Sequence, residues 1–134
     1  MAMIGTIVPL FAVPNSAENV IPMILCDIIM TVGLLTHLGA KLSLRRSFGV
    51  IPADRGVKTG GVYTLVRHPM YLGYMIVEIG MILAGPLLWN AIVFGVHWLF
   101  FIYRIFAEER VLNQNPEYRA YAQKTRYRLI PGLF

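Results

Sequence analysis

The sequence is poor in charge and almost devoid of cysteine. Only 14% of its 134 residues are charged and 57% are hydrophobic, where typical soluble domains are about 25% charged. That balance argues against an ordinary water-soluble globule. The one cysteine, Cys26, sits in an apolar run, so neither an internal disulfide nor a cysteine-rich metal site is available, and no metal site is expected. No positively charged segment precedes the apolar start of the chain, so a cleaved signal peptide is not expected. Residues 1–14 are too short to span a bilayer and are interrupted by Pro9 and Pro14. They read as an interfacial segment or the remnant of a longer helix. The pair Gly60-Gly61 follows no strand, so it carries no dinucleotide fingerprint. Internal repeats and low-complexity tracts are also missing.

Three apolar stretches are present instead. They occupy residues 19–44, 70–84 and 87–106, and they predict three transmembrane helices, the second short enough to need tilt or mismatch. The fold class expected is an all-α integral membrane protein with one domain. Its parts are a short apolar N-terminal segment (1–18), a first span (19–44), a cytoplasmic loop (45–68), a helical hairpin (69–112) and an interfacial C-terminal segment (115–134). All twelve lysines and arginines fall at 41–67 or 104–128, and none lies in the N-terminal segment or the 85–90 turn. The positive-inside rule then places the N-terminus outside and both the loop and the C-terminus in the cytoplasm. The net charge of +5 reflects this topology and attraction to anionic membrane lipids; no nucleic-acid partner is expected.

Within the hairpin, Arg67-His68-Pro69-Met70-Tyr71 opens one arm and Glu108-Glu109 closes the other. The midpoint between His68 and Glu108 falls at Leu88, beside Pro86 and Asn90. Each arm is about 20 residues, or roughly 30 Å at helical rise, so the two groups return to the same depth. Pro69 suits the first position of a helix and His68 its cap, leaving free N–H groups that attract an anion. Against this stands the plainer reading of a snorkelling arginine and a capping histidine. Adjacent helical residues point about 100° apart, so one glutamate faces the hairpin interior while the other pairs locally. Arg104, four residues before Glu108, is the natural local partner. Glu109 then faces His68, or the roles reverse. A carboxylate beside an anion-attracting helix end suits a zwitterion such as an amino-acid headgroup.

Asp27, His37, Glu78 and His97 are ionisable groups inside apolar spans, where such residues face a protein interior or cavity. Glu78 and His97 lie at matching depths and are expected to pair across the hairpin, as a structural pair first and a pocket lining second. His37, near the cytoplasmic end of the first span, is a substrate-contact candidate. After the third span, Asn115-Pro116-Glu117 signals a short helix with Tyr118, Tyr121 and Ala122 on one face. It reads as an interfacial anchor or as a lid over the hairpin's end. The glycine-containing turns of residues 43–65 read as a connector or a pocket wall.

The ordered set Arg46-Ser47-Phe48-Gly49, Gly61-Val62-Tyr63, Arg67-His68-Pro69-Met70-Tyr71-Leu72-Gly73, Glu108-Glu109-Arg110-Val111-Leu112, Pro116-Glu117-Tyr118 with Tyr121, and Leu129-Ile130-Pro131 resembles the isoprenylcysteine carboxyl methyltransferase family of integral-membrane enzymes. Membrane phospholipid N-methyltransferases and sterol reductases are similar in parts of this region. The resemblance covers the last two-thirds of the chain and implies S-adenosyl-L-methionine bound at the cytoplasmic end of the hairpin. It implies cofactor binding by His68 and Tyr71, by Glu108 or Glu109 at the charged amino-acid portion, and by Arg67, with Arg110 and the C-terminal helix closing the pocket. The implied activity is carboxyl methylation of a lipophilic or amphipathic small-molecule acceptor, isoprenylcysteine-like. No catalytic residue is assigned. The family pattern has further transmembrane helices before the shared region, so this chain reads as an N-terminally short member for which homo-oligomerisation is open. The alternatives are an NADPH-dependent membrane reductase on a related scaffold and a non-catalytic membrane interaction protein.

Overall fold

The computed structural model describes residues 11–12, 20–44 and 59–134. The expectations for residues 1–10, and for Arg46-Ser47-Phe48-Gly49 and the turns up to residue 58, lie outside the described residues. Within them, four α-helices and one 3₁₀ turn follow in order. Helix α1 is Met23–Leu44, the 3₁₀ turn is Gly61–Thr64, α2 is Pro69–Ala84, α3 is Leu88–Leu112 and α4 is Pro116–Lys124. The protein is an all-α membrane protein. Helices α1 and α3, of 22 and 25 residues, are long and apolar enough to cross a membrane, at roughly 33 and 37 Å of helical rise. Helix α2 has 16 residues and is the shorter apolar arm.

Local chemistry sets the ends. Pro69 takes the first position of α2 and His68 the cap, without a side-chain capping bond. At the far end the Gly85 N–H closes on the Met81 carbonyl, and Pro86 bars continuation of the helix. Helix α3 runs unbroken past the apolar stretch to Leu112, so both glutamates sit on a rigid helix rather than a loop. Asn115 caps α4 by accepting from the Glu117 N–H at 2.8 Å, with Pro116 next in line.

Helices α1 and α2 meet through small side chains. Cys26, Gly33 and Ala40 are the buried residues of α1, spaced by seven, and Gly73 and Gly80 on α2 repeat that spacing. A seven-residue seam keeps facing its partner along a left-handed crossing, and small residues let the backbones approach without hydrophobic drive from lipid. A Cβ at Gly33 would lie 2.7 Å from the Val77 nitrogen, and one at Gly73 would lie 2.7 Å from the His37 nitrogen. The other faces of α1, with Ile28, Leu35 and Leu42, are exposed apolar surface fit for lipid. Helices α2 and α3 approach less closely, and aromatic and polar side chains fill the space between them.

The end of the hairpin that carries the glutamates is bound into one unit. Ala40, Tyr63, Tyr118 and Tyr121 form a buried cluster, packed by Leu44, Val62, Met70, Leu112 and Ala122. The Tyr121 hydroxyl donates to the Tyr63 carbonyl at 2.6 Å. The N–H groups of Arg67 and His68 donate to the carbonyls of Tyr127 and Arg128 at 2.9 and 2.8 Å. The aromatic face of α4 is thus turned into the protein.

Candidate functional site

His68 lies at the start of α2 and Tyr71 one turn inside it, while Glu108 and Glu109 lie on the last turns of α3. The structure brings all of them together. The Tyr71 hydroxyl donates to Glu108 Oε1 at 2.7 Å, and Arg104 Nε donates to the same oxygen at 2.8 Å. His68 stands between the carboxylates, its Nδ1 3.7 Å from Glu108 Oε2 and its Nε2 3.4 Å from Glu109 Oε1. Its ring stacks on Tyr71 with centroids 5.9 Å apart.

The two glutamates differ in environment. Glu109 is 3% exposed and surrounded by donors: Arg67 Nη1 at 3.0 Å, Arg128 Nε at 2.7 Å and the Tyr118 hydroxyl at 3.4 Å, besides His68. A carboxylate held this way links the entry to α2, helix α3, helix α4 and the C-terminal segment. The Glu108 side chain keeps 19% exposure against 4% for Glu109. Its Oε2 has only the long contact to His68 within the distances given above. The local Glu108–Arg104 pair and the interior Glu109 match the division of roles expected from their angular separation, and Glu108 additionally reaches Tyr71.

Arg67 has a further property. One guanidinium nitrogen holds Glu109 and another donates to the Arg126 carbonyl at 3.2 Å, while its buried Nε has no partner among the described residues. Three guanidinium groups therefore face two carboxylates. This arrangement leaves a positive balance beside a partly exposed carboxylate, suited to a ligand bearing both an ammonium and a carboxylate.

The remaining candidates stand elsewhere. Arg110 is exposed, on a face of α3 turned away from Glu109. His37 packs on Tyr74 at 4.3 Å between ring centroids, below the ionic cluster. Glu78 and His97 pair across the hairpin, Oε1 to Nδ1 at 2.6 Å. Sequence reasoning missed the roles of Arg128 and Tyr118 at Glu109 and of Trp98 at Glu78; no spacing ties position 128 to position 109. Outside the spans, burial pushes the Tyr121 hydroxyl up to about 12. Burial also raises Tyr118 and Tyr63, with the Glu109 carboxylate adding to the shift at Tyr118 and Tyr121 and the Glu108 carboxylate at Tyr63.

Apolar helices joined by an ionic cluster at one hairpin end define a class, the helical membrane proteins with a polar cluster at one end of a hairpin. The family follows from sequence comparison. Residues 20–114 match the model of the isoprenylcysteine carboxyl methyltransferase family, and the chain belongs to that family. It is 36% identical over 106 residues to protein-S-isoprenylcysteine O-methyltransferase A of Arabidopsis thaliana, covering 72% of this chain and 53% of that protein. It is 42% identical over 71 residues to protein-S-isoprenylcysteine O-methyltransferase B of the same plant, covering 49% and 35%. A probable protein-S-isoprenylcysteine O-methyltransferase of Oryza sativa subsp. indica is 46% identical over 71 residues, covering 49% and 36%. The chain thus spans about half the length of the first of these relatives and about a third of the others. No solved structure matches it.

Proposed function

We propose that this chain carries the cofactor site of a membrane methyltransferase. S-adenosyl-L-methionine is held at the cytoplasmic end of the hairpin, and the acceptor is the carboxyl group of a lipophilic, isoprenylcysteine-like molecule. The observation that carries this reading is the convergence of His68, Tyr71 and Arg104 on Glu108, a carboxylate whose side chain keeps 19% exposure, beside the Arg67–Glu109 pair. The names of the relatives support the reaction class and the acceptor.

The residues fit the amino-acid end of such a cofactor. Glu108 Oε2 receives the ammonium, and the unpartnered Arg67 Nε–H suits the carboxylate. Tyr71 and Arg104 fix the Glu108 rotamer from its other oxygen. Glu109 acts one step removed, positioning Arg67 and His68. When bound, the cofactor supplies a methyl group on a sulfonium, a leaving group already activated. The protein then needs to orient an in-line attack and exclude water. A carboxylate acceptor, with an ordinary pKa of about 4, is ionised without a general base. The lipid-facing flanks of α1 and α3 suit lateral approach of a lipophilic acceptor.

Calorimetric titration of S-adenosylhomocysteine into folded protein in detergent tests the cofactor assignment. Saturable binding, lost in the Glu108→Gln variant, is expected; undetectable binding by wild-type protein removes the reading. Transfer of a labelled methyl group to S-farnesylcysteine tests the acceptor separately. Cofactor binding without transfer, under conditions where the membrane-embedded protein is stable, would show that the acceptor class is wrong.

A further inference from the structure

The proposed cofactor site leaves a second polar group in the hairpin unused. Glu78 on α2 is 4% exposed and His97 on α3 is 2% exposed. Trp98 Nε1 donates to Glu78 Oε2. Indole N–H is an obligate donor, so this oxygen accepts. Oε1 lies 2.6 Å from His97 Nδ1, and an ionised carboxylate at that distance accepts from a ring N–H, the arrangement by which a carboxylate fixes an imidazole tautomer. In the neutral ring of that tautomer the lone pair lies on Nε2. That atom is buried and has no hydrogen-bond partner among the described residues. A brace between α2 and α3 needs only His97 Nδ1 and the Trp98 indole, and it leaves Nε2 unexplained.

The surroundings of His97 are aromatic. Phe101 lies 4.1 Å away between ring centroids and Tyr74 lies 6.5 Å away. Tyr74 in turn contacts His37 of α1 at 4.3 Å, and His37 Nδ1 is a second buried nitrogen without a partner among the described residues. Three helices therefore converge on Tyr74, which is itself 38% exposed. Over their lengths, helices α2 and α3 approach less closely than α1 and α2.

We propose that the Glu78–His97 pair is a second binding site, distinct from the ionic cluster. Nε2 of His97 accepts a hydrogen bond from an uncharged O–H or N–H group of a lipophilic molecule that lies along Tyr74 and Phe101. The donor is uncharged because a charge at this depth is expensive. The body is lipophilic because the walls are rings and the approach is from lipid. The rings of Phe101 and Tyr71 stack at 4.9 Å, so the occupant lies one ring step below the proposed cofactor site. The inference stands on this geometry and does not depend on methyl transfer.

Nitrogen NMR of the three histidines, labelled in the imidazole ring and observed in full-length protein in nanodiscs, tests it directly. In wild-type protein the His97 ring is expected to carry its proton on Nδ1. Added farnesol should then move the Nε2 resonance upfield, in a manner that saturates with its mole fraction in the bilayer. Farnesyl methyl ether has the same chain without the O–H and should leave the resonance in place. Losing this hydrogen bond should weaken farnesol binding about tenfold, which a His97→Phe variant measures by competition. In Trp98→Phe, which keeps the Glu78–His97 bond, farnesol should still bind. A proton found on Nε2, the absence of a saturable shift, an equal response to alcohol and ether, or an Nε2 held only by water each overturns the proposal. S-adenosylhomocysteine calorimetry is read separately, so failure of this site and failure of the cofactor site are distinguishable.

Discussion

Glu109 accepts from Arg67, His68, Tyr118 and Arg128 while almost wholly removed from solvent, whereas the Glu108 side chain stays partly exposed. The two should therefore respond differently to loss of charge. Glu109→Gln leaves four cationic or polar partners without their counter-charge, and breaking a buried ionic network of this kind costs about 3 kcal/mol or more. A clear drop in thermal stability in detergent is the expected result. Glu108→Gln removes a partly exposed charge, so its effect on stability should stay within about 1 kcal/mol. Its effect on S-adenosylhomocysteine affinity should be at least about tenfold, the size of one charge-assisted hydrogen bond. Calorimetry paired with thermal melts checks both variants. The opposite pattern, a stable Glu109→Gln that no longer binds, reverses the assignment. The sequence narrowed the choice to this pair because both lie at the depth of His68. It could not rank them, since the ranking depends on Arg128 and Tyr118, which reach Glu109 only through the returning C-terminal segment.

At the level of elements, the α1–α2 crossing and the α4 cluster make separate claims. A methyl group at Gly73 would meet the His37 nitrogen at 2.7 Å and the Gly33 carbonyl oxygen at 2.8 Å, atoms of backbone that cannot step aside. Gly73→Ala should cost about 1–3 kcal/mol, the usual penalty of overpacking. Gly95→Ala in α3 meets nothing within 4 Å and should be neutral or stabilising by up to about 1 kcal/mol, as alanine is the better helix former. Thermal melts of both variants decide whether the seam is as tight as described. At α4, burial raises the Tyr121 hydroxyl from its ordinary 10 to about 12. A raised folded-state value favours the protonated form. The stability it contributes is present below pH 10 and is lost as pH rises toward 12. Melting temperatures should therefore fall over that interval, together with the appearance of tyrosinate absorbance; an unchanged melting temperature with early ionisation would contradict the buried placement. The helices themselves were legible in the sequence, because apolar length and proline position set them. The inward turn of α4 was not: its tyrosines share a face in either environment, and only Tyr63 and Ala40 decide that this face meets protein.

Taken whole, the molecule presents apolar flanks to lipid and, among the described residues, gathers its basic side chains at one end. Lys124 and Arg126 line a cavity of about 320 Å³ with Thr64, Leu65, Thr125, Tyr127 and Pro131, at the end of the hairpin that holds Glu108 and Glu109. The basic bias is the ground on which we propose that this end lies in the cytoplasm. In an Arg126→Cys variant that also carries Cys26→Ser, a membrane-impermeant maleimide should label only from the cytoplasmic side. Labelling from the outside would invert the orientation and move the proposed cofactor site with it.

By itself the sequence determined the class of fold and the meeting of His68 and Tyr71 with the glutamates, although the arms it takes as equal are helices of 16 and 25 residues. These follow from helical rise, proline chemistry and the exclusion of charge from hydrocarbon, which are local or one-dimensional constraints. Tertiary structure alone decided which carboxylate is enclosed, which guanidinium atom is left without a partner, and that Trp98 joins Glu78 and His97. Those outcomes depend on how close α1, α2 and α3 approach and on where the C-terminal segment returns. Side-chain size at distant positions sets both, and no spacing along the chain records it.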